Sequence, residues 1–351
     1  MRVSILGCGN VGCAYAADLT LKGHDVTLIK TSDTKNRYFE AVSRDGIAFL
    51  EDGVKRIARI AKVTTDIDCL PDSDVIVMTI QSSYQEELIK RISSLLRHDQ
   101  MVIVICSYLS SFFFRKYVKA NPTIVETTGP YVEGRMIDGD IPTFHVGCRL
   151  SYSPVSVLNI RIKTMEILKS VDRSFSADYS VMEAGLLNPN MVLHTVGAIM
   201  SIPRVEFSQG DFCMYREVYS RKNEATMKIM YALDDEKKAV LSRLGCRPIE
   251  ILDAAGFSGD LEENFHRYAE SDDRAKSPTS IRSRYITEDV SQGLVLLESI
   301  AKRVGVRTPV ASSLITIAGS ALGVDFREGG RTVERLGCGD LIDRLADGAK
   351  G

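Results

Sequence analysis

A glycine-rich hexapeptide near the start of the chain constrains the fold more than any other feature of the sequence. The hexapeptide reads Gly7-Cys8-Gly9-Asn10-Val11-Gly12. It follows a strand-like run and opens a helix-like run. Gly7 can make the tight turn, Gly9 lets the backbone approach a pyrophosphate, and Gly12 lets helix and strand pack closely. A glycine-rich turn that binds nothing is the alternative. The placement favours a dinucleotide site, with the anion at the helix N-terminus near the glycines, Asn10 and Val11.

Apolar runs alternate with amphipathic segments as far as about residue 180. Strands are predicted at residues 2–7, 25–30, 74–80, 101–107 and 123–128, and helices at 11–22, 33–43, 84–96 and 110–119. This alternation predicts an α/β domain with a doubly wound, mostly parallel sheet covered by helices on both faces. An inserted hairpin is expected at 47–63. The segment 143–155, a helix at 156–170 and a strand at 174–180 should complete the domain.

The pattern changes after Met182. Strand signals fade, and helical windows follow at residues 188–202, 212–245, 285–306 and 309–322. We therefore expect a dinucleotide-binding Rossmann domain at 1–182 and a helical substrate and catalytic domain at 183–351, with the site in the cleft between them. A length of 351 residues allows two such cores.

Composition and charge exclude several classes of protein. Lys plus Arg total 44 and Asp plus Glu 46, a formal charge of -2 with no long run of either sign, so neither nucleic acid nor a membrane is an expected partner. No apolar stretch approaches the roughly 20 residues of a membrane helix, and the N-terminus lacks the pattern of a secretory signal. The 8 cysteines are scattered singly, which is typical of reduced thiols in a cytoplasmic protein and predicts no metal site.

The end of the second predicted strand bears on the choice of cofactor. NAD-specific proteins usually place an acid there for the ribose hydroxyls, whereas this chain has Lys30-Thr31-Ser32. Lys30, the two hydroxyl groups and the nearby Lys35 and Arg37 could bind a 2′-phosphate. The alternative is an ordinary solvated basic turn. The pattern favours NADP as the preferred cofactor and leaves NAD possible.

A polar face on an otherwise apolar helix makes residues 188–197 a candidate site. Asn188 as N-cap and Pro189 as the first helical residue predict where this helix begins. Asn190 and His194 then lie four residues apart on one face, which Gly197 leaves open. A lone histidine on such a helix is more often structural than catalytic, so its role depends on a partner elsewhere in the chain.

Residues 284–290 offer that partner. Thr287 can cap a helix, and Glu288 and Asp289 suit its positive end, which is the structural explanation. The functional explanation is that Arg284 binds a substrate carboxylate while Asp289 pairs with an imidazole.

Taken together, these features resemble the octopine and nopaline dehydrogenase family, the opine dehydrogenases. The segments that carry the resemblance are Gly7 to Gly12, Glu126-Thr127, Pro130-Tyr131, Arg135, Asn188-Pro189-Asn190 to His194, Phe212 to Glu217, Leu233-Asp234, Arg284 to Asp289, Gly293-Leu294 and residues 330–337. They cover nearly the whole chain, and their order and spacing are more specific than any single segment.

The resemblance implies a Rossmann domain followed by a helical domain similar to the C-terminal domain of 6-phosphogluconate dehydrogenase. It also implies an NAD(P)-dependent oxidoreductase that acts on CH-NH bonds in amino acid metabolism. Such an enzyme condenses a 2-oxo acid with the amino group of an amino acid to give a secondary amine dicarboxylate. These small molecules are the expected partners, and a homodimer stays open.

The resemblance also assigns roles to residues. His194 matches the proton-transferring histidine, Asp289 its acidic partner, and Arg284 the carboxylate-binding arginine. The further contacts that it implies are Glu126 for the cofactor, and Asn190 and Tyr131 for the substrate.

Two other functions stay open. A ketopantoate-reductase-like enzyme would reduce a plain 2-oxo acid to a hydroxy acid, but it requires a catalytic lysine where this chain has Glu183-Ala184-Gly185-Leu186. An NADP-binding sensor without catalysis would not need a proton donor beside a carboxylate clamp, so His194, Arg284 and Asp289 argue against it. The sequence therefore favours an opine dehydrogenase.

Overall fold

The structure is a computed structural model that describes residues 1–34, 36, 38–272, 274 and 276–349. The chain divides into two compact units, Met1–Gly185 and Leu186–Gly351. The change of pattern at Met182 falls within the helix Val181–Leu186, which contains the boundary between the units.

Unit 1 contains two sheets. Its strands are β1 (Arg2–Leu6), β2 (Asp25–Ile29), β3 (Ile47–Glu51), β4 (Val54–Ala58), β5 (Lys62–Thr64), β6 (Val75–Met78), β7 (Met101–Val104), β8 (Thr123–Thr127), β9 (Val132–Ile137), β10 (Thr143–Arg149), β11 (Ser153–Leu158) and β12 (Phe175–Ser176). The main sheet has the order β12-β11-β8-β7-β6-β1-β2-β5. Its neighbouring strands are parallel except β8 and β11. The predicted doubly wound α/β fold is confirmed.

The helices of unit 1 lie between these strands, except the last helix, which follows β12. They are α1 (Asn10–Leu21), α2 (Phe39–Asp45), α3 (Gln85–Ile92), α4 (Ser111–Tyr117), α5 (Thr164–Val171) and α6 (Val181–Leu186). The residues of β6 and β7 are buried throughout, because a parallel strand covered on both faces has no solvent side.

The second sheet has four strands in the order β4-β3-β10-β9. Strands β3 and β4 form an antiparallel hairpin whose turn residues, Asp52 and Gly53, have φ of 50° and 76°. An Asp-Gly pair suits such a turn because both residues tolerate positive φ. The expected inserted hairpin is confirmed, although its pairing with β9 and β10 was not predicted.

Helix α1 packs against both sheets, which explains its sequence. It contacts β2 of the main sheet and β3, β4 and β9 of the second sheet. All residues from 12 to 19 are buried, and several of them are small, such as Ala14, Ala16 and Ala17. Because both sides of the helix are covered, it lacks the polar stripe of a surface helix.

Three predictions for unit 1 are corrected. The expected helix 156–170 begins as strand β11, whose residues pair with β8, and continues as α5 from Thr164. Pairing with β8 holds residues 155–158 extended, a tertiary contact that the local pattern does not encode. The expected strand 174–180 shrinks to β12, and the expected helix 33–43 is replaced by α2 at Phe39–Asp45.

Unit 2 is helical, with no strand among its described residues. Its α-helices are α7 (Asn190–Met200), α8 (Ile202–Ser208), α9 (Met214–Tyr219), α10 (Glu224–Arg243), α11 (Ile251–Ala254), α12 (Leu261–Glu270), α13 (Arg284–Thr287), α14 (Val295–Val304), α15 (Pro309–Leu322), α16 (Phe326–Gly329), α17 (Val333–Leu336) and α18 (Gly339–Gly348). Helix α7 is central, since it contacts α9, α10, α13 and α15 and is buried from residue 191 to residue 199.

Two of the long helical windows are interrupted. Residues 220–223 separate α9 from α10 within the expected helix 212–245. Within the expected helix 285–306, a π-helical segment, Asp289–Leu294, lies between α13 and α14. Such wide turns are rare and occur frequently at functional sites.

A buried ion pair fixes part of unit 2. Lys237 Nζ lies 2.6 Å from Asp234 Oδ1, and both side chains are almost fully buried. The same lysine donates to the Ile249 carbonyl at 2.9 Å, and Ile251 N donates to Asp234 Oδ2 at 3.1 Å. The Asp234 of the family-like Leu233-Asp234 pair therefore holds α10 to the segment that begins α11.

Among the described residues, no single helix has the length and apolar character needed to cross a membrane. One pair, Pro309–Leu322 and Phe326–Leu336, meets the length and composition limits only jointly, and it bends by 106°.

Candidate active site

The centre of the candidate site is a buried histidine paired with a carboxylate. His194 lies in the middle of α7 and is 6% exposed, and Asp289 begins the π-helical segment and is 1% exposed. The distance from His194 Nδ1 to Asp289 Oδ2 is 2.9 Å. Because a carboxylate accepts, Nδ1–H donates and the ring keeps its other nitrogen, Nε2, for proton transfer. Asp289 lies in the first turn of the π-helical segment, as the structural explanation expects, and its carboxylate also pairs with the imidazole.

A tyrosine, Tyr285, packs against the imidazole of this pair. Its role was not predicted from the sequence. The ring of Tyr285, on α13, stacks on the ring of His194 with centroids 3.7 Å apart and an interplanar angle of 7°. Tyr285 precedes Asp289 by four residues, a spacing that places two side chains on one side of a helix. That spacing could have suggested that Tyr285 and Asp289 act together. It does not identify His194 as the residue that they contact.

Arg284 lies next to this group. Its side chain is 46% exposed, and its guanidinium carbon is 5.7 Å from the centroid of the Tyr285 ring. Its Nη1 lies 3.8 Å from Oε2 of the buried Glu288. The structure thus brings together the three residues predicted to be catalytic, His194, Asp289 and Arg284, within one unit.

Burial lowers the pKa of His194 below its usual 6.5, against the opposing effect of the Asp289 carboxylate. The positive charge of Arg284 lowers the pKa further. The imidazole is therefore neutral near pH 7, which is the form that can accept a proton at Nε2.

Helix α7 begins one residue later than predicted. Pro189 takes the N-cap position and Asn190 the first helical position, while Asn188 Oδ1 accepts a hydrogen bond from Asn190 N at 3.0 Å. Asn190 is half-buried on the same face as His194. Gly197 differs from expectation, because a Cβ there would lie 3.0 Å from Met214 Cε and 3.3 Å from Tyr219 Cε2. The glycine admits α9 and does not open a face for a ligand.

In unit 1 the glycine-rich loop has the geometry of a dinucleotide-binding turn. Gly7 has a φ of +120°, and a Cβ at Gly12 would lie 1.8 Å from the Gly7 carbonyl oxygen. Gly9 is exposed, and a Cβ there would meet no atom within 4 Å. The loop therefore has a turn that only glycine makes easily, a close helix contact and an open stretch of backbone, which together fit a pyrophosphate at the N-terminus of α1.

Neighbouring side chains support this loop. Asn10 Oδ1 accepts a hydrogen bond from Met136 N at 3.0 Å, so its side chain ties the loop to the second sheet. Val11 is half-buried against the core. Burial raises the pKa of the Cys8 thiol to about 12, against the effect of the Lys30 charge, so Cys8 stays protonated.

Three of the predicted phosphate-binding residues, Lys30, Thr31 and Ser32, follow the end of β2, and one further cation lies with them. Lys30 is half-buried, and Ser32 Oγ lies 2.8 Å from Thr34 Oγ1. Arg91, an exposed residue of α3, donates from Nη1 to the Thr31 carbonyl at 3.3 Å. Arg91 was missed because it is 60 residues from Thr31 in the chain. Lys35 and Arg37 lie outside the described residues.

Two residues assigned by the resemblance lie in the core instead. Tyr131 is fully buried, with its hydroxyl donating to Asp18 Oδ2 at 2.8 Å and its ring packed on Tyr15. Glu126 is also fully buried, and its Oε1 accepts from Ser111 N at 2.7 Å at the start of α4. The expected contacts of Tyr131 with substrate and of Glu126 with cofactor are therefore withdrawn, since neither side chain is accessible.

Comparisons with known proteins agree with this arrangement. The family model for the NAD/NADP octopine/nopaline dehydrogenase, alpha-helical domain, matches residues 177–322, which include His194, Arg284 and Asp289. An opine dehydrogenase of Arthrobacter sp. (strain 1C) is 25% identical over 349 residues, which cover 96% of this chain and 95% of that protein. Over its helical half, the chain is similar to the octopine and nopaline dehydrogenase family. A second model, ketopantoate reductase PanE/ApbA, matches residues 3–106.

Solved structures share the fold of this chain. An octopine dehydrogenase with NADH and L-arginine aligns with a TM-score of 0.74 at 17% identity, covering 99% of this chain and 98% of that chain. A yersinopine dehydrogenase with NADP+ bound aligns with a TM-score of 0.68 at 14% identity, covering 100% of this chain and 98% of that chain. The predictions of the family, of the fold and of an NAD(P)-dependent opine dehydrogenase are confirmed.

Proposed function

We propose that the protein condenses a 2-oxo acid with the amino group of an amino acid and reduces the product to a secondary amine dicarboxylate, with NADPH as the preferred reductant. The observation that carries this proposal is the buried His194–Asp289 pair beside Arg284, on a helical domain of the family.

The proposed reaction forms one C–N bond and removes one oxygen. The amine adds to the 2-oxo carbon, the carbinolamine loses water to give an imine, and the imine carbon receives a hydride. NAD(P)H, when bound, supplies that hydride. The remaining proton transfers, to the departing hydroxyl group and from the amine, need a group that gives and takes protons near neutral pH.

His194 is the group that we assign to these transfers. Its Nδ1–H is engaged by Asp289, so Nε2 accepts a proton from the amine and returns it to the departing hydroxyl. Asp289 holds the tautomer and stabilises the imidazolium that forms. Because the pKa of His194 is lowered, the neutral form is available at the start of the cycle.

Arg284 and Asn190 are assigned to the substrate. A half-exposed guanidinium can form a bidentate pair with a carboxylate, which would fix the orientation of the 2-oxo acid. Asn190, one turn before His194 on α7, can hydrogen-bond a second polar group of the substrate.

We assign cofactor binding to residues 1–182 and the substrate-binding and proton-transferring groups to 183–351. Gly7, Gly9 and Gly12, with the backbone of Asn10 and Val11, would hold the pyrophosphate. Lys30, Thr31 and Ser32 would hold the 2′-phosphate of NADP, and we add Arg91 because it binds the Thr31 carbonyl.

A second candidate is a reductase that converts a 2-oxo acid to a hydroxy acid without an amine. It is favoured by the ketopantoate reductase model that matches residues 3–106. Against it, the start of the second domain offers Glu183, whose Oε2 accepts from Ser180 N at 2.7 Å, where that enzyme type has a lysine. Ser180 and Glu183 form a capping box for α6, which is a structural role.

A screen of amino acids against 2-oxo acids, with NADPH consumption as the readout, tests the proposal. NADPH oxidation should depend on both substrates, and mass spectrometry should find a product that carries both carbon skeletons. Equal oxidation with a 2-oxo acid alone would select the second candidate. If NADPH bound but no substrate pair reacted, the protein would be a sensor.

We also propose a cytoplasmic location and a homodimeric state. Cell fractionation would test the first, and light scattering of the purified chain would test the second.

A further inference from the structure

The imidazole of His194 is held on two sides by residues of one short segment. Asp289 Oδ2 lies at its edge, 2.9 Å from Nδ1, and the Tyr285 ring lies against its face with centroids 3.7 Å apart and planes within 7°. Within the described part of the chain, Nε2 makes no hydrogen bond.

We propose that Tyr285 is a positioning residue of the active site, which fixes the plane of the His194 imidazole so that Nε2 points in one direction throughout the reaction. The inference rests on the proposed function of His194, because it concerns how that residue is oriented. Tyr285 acts through the imidazole and is not itself assigned a proton-transfer step.

The physical need for such a residue follows from the geometry of a single hydrogen bond. The Nδ1–H bond to Asp289 fixes one point of the ring, but the ring can still tilt about that bond and move Nε2. A second ring stacked on its face removes the tilt. Proton transfer is sensitive to such displacements, since a misplacement of about 1 Å can reduce a rate by about 100-fold.

The stack is also suited to the charge that His194 acquires. Neutral aromatic pairs prefer offset or edge-to-face contacts with centroids about 4.5–7 Å apart, whereas this pair is closer and nearly parallel. A cation over an aromatic face is attracted by the negative charge of that face. The stacked arrangement therefore stabilises the imidazolium that forms during turnover. A tilted ring would lose part of this attraction.

Other contacts of Tyr285 are weaker or absent. The Arg284 guanidinium carbon lies 5.7 Å from its ring centroid, near the outer limit of about 6 Å for a cation–π contact. The Tyr285 hydroxyl makes no hydrogen bond with the described residues. The aromatic face, rather than the hydroxyl, is thus the part of the side chain that acts, and phenylalanine should replace it.

The experiment compares Tyr285→Phe, which keeps the ring, with Tyr285→Leu, which removes it. A matched control is Tyr231→Leu, because Tyr231 lies on α10 and its hydroxyl donates to Glu262. With a substrate pair from the screen, we expect kcat to fall about tenfold or more in Tyr285→Leu, with KM changed less. In Tyr285→Phe and in the control, kcat should stay within about twofold.

A second measurement does not depend on turnover. The chain has 5 histidines, so the imidazole C–H signals can be resolved by NMR, and His194→Gln identifies the signal of His194. The stacked ring should shift that signal upfield in the native protein and in Tyr285→Phe. In Tyr285→Leu the upfield shift should disappear, while thermal unfolding shows that the variant is folded.

The proposal is wrong if the His194 signal of the native protein lacks the upfield shift. It is also wrong if folded Tyr285→Leu keeps the native kcat, or if kcat falls as much in Tyr285→Phe as in Tyr285→Leu. Failure of the proposed function has a different signature, because His194→Gln would then retain turnover while the upfield shift was still present in the native protein.

Discussion

Asp289 Oδ2 lies 2.9 Å from His194 Nδ1, although the two residues are 95 positions apart in the chain. Both side chains are almost fully buried, so the bond between them is shielded from water. This pairing is the feature that changes a helical histidine from a structural residue into a candidate acid-base group.

Replacement of His194 should remove proton transfer and leave cofactor binding intact. A positioned general acid-base group contributes about 100- to 10,000-fold to a rate, so His194→Ala should reduce turnover by that order while NADPH still binds. Turnover and fluorescence titration of NADPH measure the two effects. The matched control is His145→Gln, an exposed histidine of unit 1. Near-native turnover of His194→Ala would contradict the assignment.

Replacement of Arg284 should affect the apparent substrate constant more than kcat. Arg284→Ala removes a charge-assisted pair with the substrate carboxylate, so KM for the 2-oxo acid should rise at least tenfold. Arg282→Ala is the control, since Arg282 is a nearby exposed arginine whose Nη2 donates to the Leu322 carbonyl. An unchanged KM in Arg284→Ala, or an equal rise in the control, would count against this role.

The lowered pKa of His194 should be visible in the oxidative direction. There a neutral imidazole takes a proton from the secondary amine, so kcat/KM should fall on the acid side with an apparent pKa below 6.5. Rate profiles between about pH 5 and 8 measure this limb. An acid limb centred clearly above 6.5 would contradict the buried, neutral histidine.

The lowered pKa of His194 also makes the folding stability depend on pH. The unfolded histidine takes up a proton near pH 6.5, whereas the folded one does so only at lower pH. The folded state is therefore favoured by this group above pH 6.5, and that contribution is lost as the pH falls further. Denaturant unfolding at several pH values should show a shallower dependence on pH in His194→Gln than in the native protein.

The basic residues at the end of β2 should set cofactor preference. Lys30→Asp introduces a charge that repels a 2′-phosphate, so it should weaken NADPH binding by tenfold or more and leave NADH unchanged or improved. Arg91→Ala should weaken NADPH binding by a smaller factor. Lys119→Ala, at an exposed lysine of unit 1, is the control. Equal dissociation constants for NADPH and NADH in the native protein would refute the preference.

Two glycines of the loop should behave differently when alanine replaces them. At Gly12 the new Cβ would lie 1.8 Å from the Gly7 carbonyl oxygen, so Gly12→Ala should lower the unfolding temperature markedly. At Gly9 the Cβ meets nothing within 4 Å, so Gly9→Ala should keep its stability and lose cofactor affinity. Thermal unfolding and NADPH titration separate the two, and a native affinity in Gly9→Ala would remove Gly9 from the site.

The sequence by itself determined what depends on neighbours along the chain. The spacing of Gly7, Gly9 and Gly12 is sufficient to predict the turn between β1 and α1, because backbone conformation and close approach there depend on the absence of a Cβ. Alternating apolar runs predicted the parallel sheet, and continuous helical periodicity predicted the helical second unit. The start of the helix that contains His194 was placed within one residue for the same reason.

Only the tertiary structure decided which distant side chains meet. It buried Tyr131 beside Asp18 and placed Met214 against Gly197, contacts that no local pattern encodes. It also brought Tyr285 and Asp289 to the face and edge of one imidazole. The period of a helix states which residues share a face, but the segment that covers that face is selected by packing of the whole unit. The residue types in the sequence therefore suggested acid-base chemistry. Packing of the helical unit determined that Asp289 and Tyr285 are the residues that contact His194.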